Sequence, residues 1–329
     1  MADEMTNVDY SVFELPAWHG KGTTTGETFD RTKAAAAIGW GVTKEQAHYD
    51  AGGIVLPALG HYFTARGDLS PDNPARILGA VGSRYTVVQN SDLLDLGDAL
   101  LTADGGAHWA CAGSIRGGAV VYAVVKLPEV VRVLDDIVEE FLLLATSHDG
   151  SSPMFAMLTP VRVVCANTLA AAKAGKTRNR ITVRHTASAE GRVREAHKIL
   201  KAGADHFGQL ADMWAYLATT PVDGKGVKKA IESLLPADAA KVAGRTKKAR
   251  EAIESLFYGG QKGGDQEAVS GTAYGLLNAF AEYADHGKGI RVSDGREAQE
   301  VRAESVLFGS ANAFKQKALA EVLTLAATV

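Results

Sequence analysis

Two glycine turns set between β-rich runs constrain this chain more than any other feature. "HWACAGSI" and "AVVYAVVKLP" flank "RGG", where Gly117 and Gly118 supply the positive φ of a tight reversal. "EEFLLLATS" and "SPMFAMLTPVRVV" flank "HDGS", and Asp149-Gly150 suits a second reversal. Consecutive hairpins force antiparallel pairing, because parallel strands need a long crossover that these spacings leave no room for. "NTLAAAKAG" follows, with Asn167 as N-cap and Gly175 as the stop. The expectation is an α+β fold: an antiparallel sheet of hairpins followed by helices. Upstream, "GSRYTVVQN" predicts another strand, and Asn90 or Ser91 caps a helix through "SDLLDLGDALL".

Beyond Ser188 the pattern turns helical. A long helix starts there, with Val193, Ile199, Leu200, Phe207, Leu210, Trp214 and Leu217 as its apolar stripe and Gly203 and Gly208 marking a bend. Thr272 caps a further helix that closes at Asp285-His286-Gly287. These signals divide the chain into a mixed α+β core with an N-terminal arm (1–188) and a mainly helical region (189–329), mainly helical in its C-terminal half.

Composition excludes several classes. The 46% hydrophobic and 22% charged residues are those of a globular protein. No apolar run approaches the ~18 residues of a membrane span. Cys111 and Cys165 form no zinc pattern, and His148-Asp149, Asp205-His206 and Asp285-His286 lack the spacing that puts ligands on one helix face. No metal site is expected. Without a phosphate-binding glycine loop, a GxSxG or an HExxH, no nucleotide cofactor is expected either. A reduced, cytoplasmic protein (host cytoplasm if phage-encoded) is the expectation.

Charge is segregated. Ten cations and two acids lie between Arg162 and Lys201, a net +8 in a chain of net −3. A second basic block runs from Lys225 to Arg250, while Glu129 to Asp149 is acidic. Such segregation points to phosphate partners. Arg162, Lys173, Lys176, Arg178, Arg180 and Arg184 are the candidate phosphate contacts, with Tyr85 or Trp109 as base-stacking rings. Two readings of Arg162 stay open: a phosphate contact on the open face of the sheet, or an ion pair with the acidic Asp135-to-Glu140 segment. His148-Asp149 has a sufficient explanation as a turn, and Cys165 as a small buried residue.

"PAWHGKG", "GAVGSRYTVVQN", "SHDGSSP", "TPVRVVCANTL", "VRHT" and "GTAYGLLNAFAEYADH", taken in order, resemble the phage/plasmid-like domain-of-unknown-function family found on mobile elements. The resemblance implies a mobile-element setting and marks Trp18, His19, Gly20, Tyr85, Asn90, His148, Asp149, Arg162, Cys165, Asn167 and His185 without assigning them chemistry. The hairpin–hairpin–helix order is also similar in outline to single-strand annealing proteins of the RecT and Red-beta type, which oligomerise around a nucleic-acid strand.

These readings give a first expectation of a non-enzymatic single-stranded DNA-binding or annealing protein of phage or plasmid recombination, acting as a homo-oligomer. The alternatives are a nucleic-acid or nucleotide-acting enzyme with His148, Asp149, Arg162, Cys165 and Asn167 grouped at one end of the sheet, and a host-directed protein-binding module.

Overall fold

The computed structural model describes residues 28–134, 136–162, 180–183, 189–236, 243–259, 269–289, 291–292, 298–307 and 309–328. The fold is α+β with two antiparallel sheets. After a short helix α1 (Arg31–Ile38), strands β1 (Val42–Asp50), β2 (Val55–Arg66) and β3 (Ile77–Gly82) form a three-stranded sheet in that order. Helix α2 (Asn90–Asp104) leads into β4 (His108–Ile115), β5 (Val120–Val133), β6 (Asp136–Ser147), β7 (Phe155–Arg162) and β8 (Arg180–Thr182), a five-stranded meander.

Both expected reversals are present. The RGG turn joins β4 to β5 with φ of 64° at Gly117 and 95° at Gly118, angles that cost glycine nothing. Arg116 beside them adopts φ 55°, a left-handed conformation that a side chain rarely takes. The HDGS loop joins β6 to β7. Pro128 sits where the β5–β6 register slips between Lys126 and Val130, so its missing N–H interrupts no paired position there.

The expected strand over "GSRYTVVQN" forms only at its start: β3 ends at Gly82, and 85–89 run without ladder partners. Side chains stabilise this extended stretch instead. Lys44 Nζ donates to the carbonyls of Ser83 and Tyr85, and the Gln89 amide exchanges two hydrogen bonds with the backbone of Val42. Asn90 is inside α2 rather than its cap, and Asp92 accepts from the Gln89 N–H at 2.9 Å.

The helical region is α3 (Ala189–Thr219), α4 (Gly224–Leu234), α5 (Ala243–Phe257), α6 (Ala273–Glu282), a π-turn over Tyr283–Gly287, α7 (Ala298–Leu307) and α8 (Ser310–Ala326). Thr272 caps α6 as expected, its Oγ1 accepting from Gly275 N at 3.1 Å. Helix α3 runs without a break through Gly203 and Gly208. A Cβ at Gly203 would meet only the Glu140 carboxylate, at an ordinary contact distance of 3.5 Å, and one at Gly208 would meet nothing within 4 Å. One apolar cluster joins the α1, α2 and α3 side chains Ile38, Leu93, Leu100, Ile199 and Phe207 to the sheet residues Val121, Val125 and Leu142. On the opposite sheet face Cys111, Tyr122, Phe141 and Phe155 pack with Ala284, Val306 and Ala311. The centre of the large sheet therefore has no open face. Among the described residues no helix is long and apolar enough to cross a membrane, and no three His, Cys, Asp or Glu side chains are grouped to hold a metal.

Candidate functional site

Tyr85, Asn90, His148 and Asp149, scattered in the sequence, meet at one corner between the two sheets. The β6–β7 loop that carries His148 is held from every side. Its His148 N–H donates to Ala119 O at 2.8 Å, Thr64 Oγ1 on β2 donates to His148 O at 2.6 Å, and Tyr85 OH donates to Ser147 O at 3.0 Å. Ser147 Oγ and the backbone of Ser152 exchange two further bonds. Gly79 on β3 lies so close that a Cβ there would come within 2.5 Å of the Asp149 Cα.

His148 itself is fully buried, and its ring meets Trp40 edge-on at 5.7 Å between centroids. Arg66 lies over the Trp40 ring, 4.4 Å from its centroid. The tautomer follows from the hydrogen bonds. Asn90 Nδ2 donates to Trp40 O at 2.9 Å, so its Oδ1 faces His148 Nε2 at 2.8 Å and that nitrogen must carry the proton. Nδ1 then offers a lone pair with no partner among the described residues. Burial pushes the imidazole down to about 4, against a weaker upward pull from Asp149. His148 is thus a buried, neutral linker between α2 and the loop.

Asp149 is partly exposed. Burial pushes its carboxyl up, but hydrogen bonds from Ser151 and Ser147 and the nearby Arg116 charge together outweigh it and hold the carboxyl below the usual range. Arg116 lies 3.8 Å from Asp149 and also grips Glu304 of α7, with Nε to Oε1 at 2.8 Å and a second bond from NH2. The guanidinium of this left-handed residue thus lies between Asp149 and Glu304, and it connects the RGG turn to the C-terminal helices. Backbone strain of this kind clusters at sites with a task.

The other expected residues fall elsewhere. Trp109 cannot stack on a base: it is 3% exposed, its Nε1 donates to Asp98 at 3.2 Å, and its ring fills the space left by Gly97. Tyr85 is half-buried, and its hydroxyl is committed to the loop. Arg162 lies opposite Val138, ten residues before His148 on β6. At about 3.3 Å per residue, that places Arg162 more than ~20 Å along the hairpin from His148. The grouping of His148, Asp149 and Arg162 at one end of the sheet is accordingly corrected: a hairpin puts its loop and its open end at opposite extremes. Arg180 is on the edge strand β8 opposite Met157, and of Arg162 and Arg180 the backbone alone is described. Lys173, Lys176, Arg178, Arg184, Trp18, His19, Gly20, Cys165, Asn167, His185 and the Asn167–Gly175 helix lie outside the described residues. Sequence reading missed Trp40, Thr64, Arg116 and Glu304; the arginine beside two glycines was the one local sign.

The corner matches a known family. Residues 77–307, more than half of the chain, fit the model described as Domain of unknown function (DUF932). The chain belongs to the DUF932 family. The DUF932 match begins at β3 and takes in Tyr85, Asn90, Arg116, His148, Asp149 and Glu304, and so contains nearly the whole corner. Trp40 and Thr64 precede it. No curated protein and no solved structure matches the chain.

Proposed function

We propose that this DUF932 protein binds single-stranded nucleic acid, without catalysis, as an oligomeric single-stranded DNA-binding or annealing protein of phage or plasmid recombination. One observation carries the reading. The basic run of largest net charge, +8 between Arg162 and Lys201, leaves β7 at Arg162, includes Arg180 on the edge strand β8, and continues as exposed Arg194, Lys198 and Lys201 on α3. A basic segment at a sheet edge suits a phosphate backbone, which is gripped without reading sequence.

Self-association is supported by the β1–β2 ribbon. It projects beyond β3, and every residue from His48 to Pro57 is exposed, including Tyr49, Ile54, Val55 and Leu56. Asp50 is the only formal charge there, so the ribbon suits an apolar surface on a second copy of this chain and not a polyanion. An isolated two-stranded ribbon is marginal in water, which favours its being covered.

The enzyme alternative has less support, because His148 is buried and neutral and Arg162 lies far along the hairpin. The test is fluorescence titration of oligothymidylate at several salt concentrations with the native protein and a Lys176→Glu, Arg178→Glu, Arg180→Glu variant. The expected result is weaker binding to all sequences and a salt slope shallower by roughly 0.7 per lost contact. Unchanged binding at low salt overturns the assignment to this segment.

A further inference from the structure

A cavity of about 310 Å³ opens between the π-turn, α7 and the start of α8, beside the Arg116–Glu304 link. Small-molecule sites begin at about this size. Its polar lining comes from Lys288, Arg291, Arg302, Glu304, Ser305 and Ser310. Three cations therefore face one carboxylate, and Arg116 neutralises that carboxylate from outside the cavity with two hydrogen bonds to Glu304 Oε1.

The donors are held in place. Arg302 NH1 donates to Asp285 O at 2.7 Å and its NH2 reaches toward Lys288 O at 3.4 Å, fixing the π-turn against α7. Lys288 Nζ donates to Ser310 Oγ at 3.3 Å, and the Ser305 and Ser310 hydroxyls are 3.1 Å apart. Partial burial pushes the Lys288 ammonium down from its ordinary value, the mark of a cation that lacks a full hydration shell. Helix α8 starts at this rim, where Ser305 Oγ accepts from Ala311 N at 3.1 Å, so the positive end of the helix adds to the field. π-turns of this kind recur at functional sites.

We propose that this cavity binds a phosphate monoester, with Lys288 and Arg291 as the charged contacts, Ser305 and Ser310 as hydroxyl donors, and Arg302 as the group that shapes the wall. Cations and hydroxyl donors converging on a small space from several directions suit the several acceptor oxygens of a phosphate. The same chemistry is offered by a free nucleotide and by the 5′-phosphate of a strand. None of the residues lining the cavity belongs to the basic 162–201 segment, so the two readings stand or fall independently.

Calorimetric titration of the full chain tests it with inorganic phosphate, a nucleoside 5′-monophosphate, and oligothymidylates with and without a 5′-phosphate. Phosphate and the monophosphate should bind the native protein, and binding should weaken at least tenfold in both Lys288→Met and Arg291→Ala. Arg291 is exposed, so Arg291→Ala keeps the test valid if Lys288→Met fails to fold. The variant reversed at Lys176, Arg178 and Arg180 should retain phosphate binding. Preference for the 5′-phosphorylated strand, lost in Arg291→Ala, identifies a strand end as the source; tight monophosphate binding without that preference identifies a free nucleotide. No phosphate or monophosphate binding, or binding indifferent to both substitutions, overturns the proposal.

Discussion

His148 Nε2 donates to Asn90 Oδ1 at 2.8 Å, joining residues 58 positions apart and fixing the β6–β7 loop to the first turn of α2. Because Asn90 also bonds Trp40 O, the removal of either side chain strands a buried partner.

His148→Ala should cost about 2–4 kcal/mol, from the lost bond and the space left behind. His148→Gln, whose amide can still donate, should cost less. The native imidazole is held at about 4, whereas an unfolded histidine titrates near 6.5. The unfolded chain therefore takes up this proton first as pH falls. The contribution is complete above about pH 6.5 and is lost progressively down to pH 4, by up to about 3 kcal/mol. Urea unfolding at pH 7.5 and pH 5 should show this loss in the native protein and a smaller one in His148→Gln. An equal loss in both proteins rejects the assignment.

Glu140 gives the opposite slope. It is 1% exposed, its Oε1 has no partner among the described residues, and burial, reinforced by Glu129 and Asp104, pushes its carboxyl up to about 8. The folded state holds this proton where the unfolded state has released it. Stability from this group is complete below about pH 4.5 and falls as pH rises to 8, by as much as ~4 kcal/mol. Glu140→Gln removes a group that must ionise, so its melting temperature should exceed the native value at pH 8.5 and approach it at pH 4.5. A constant difference across that range would falsify the shift.

Gly79→Ala places a methyl group 2.5 Å from the Asp149 backbone, and a backbone cannot swing aside as a side chain tip can. We expect a loss of about 1–3 kcal/mol and faster amide exchange across 147–152. Gly82→Ala on the same strand end meets nothing within 4 Å and serves as the control, expected within about 0.5 kcal/mol of the native protein.

Lys315 and Asp285 form an ion pair at 2.7 Å with both side chains 2% exposed. Lys315→Met alone leaves a buried carboxylate and should cost about 3–5 kcal/mol. Adding Asp285→Asn should restore most of that loss, measured as a double-mutant cycle by chemical denaturation. If the two losses simply add, the pair is not coupled.

The turns were legible because their chemistry is local. "RGG" and "HDGS" name residues that reverse the chain at little cost, and the continuous apolar, β-branched runs on either side leave an antiparallel meander as the outcome. Thr272 as a cap and the α3 stripe were readable for the same reason, since a hydroxyl or a helical period acts within a few residues. The three-stranded sheet was harder to see: β1 and β2 end in an exposed ribbon, so their apolar residues do not alternate with polar ones.

By itself the sequence determined the α+β class, the hairpin order, the helical C-terminal half and the segregation of charge. Only the tertiary structure decided what the singled-out side chains do. Trp109 reads as an available aromatic until α2, with Gly97, closes over it. Asn90 reads as a cap until His148 arrives from β6 and takes its amide oxygen. Arg116 reads as a turn residue until Glu304, 188 positions later, accepts its guanidinium. Propensity and periodicity act over a few residues, whereas burial and hydrogen-bond pairing depend on which distant segments the fold brings into contact.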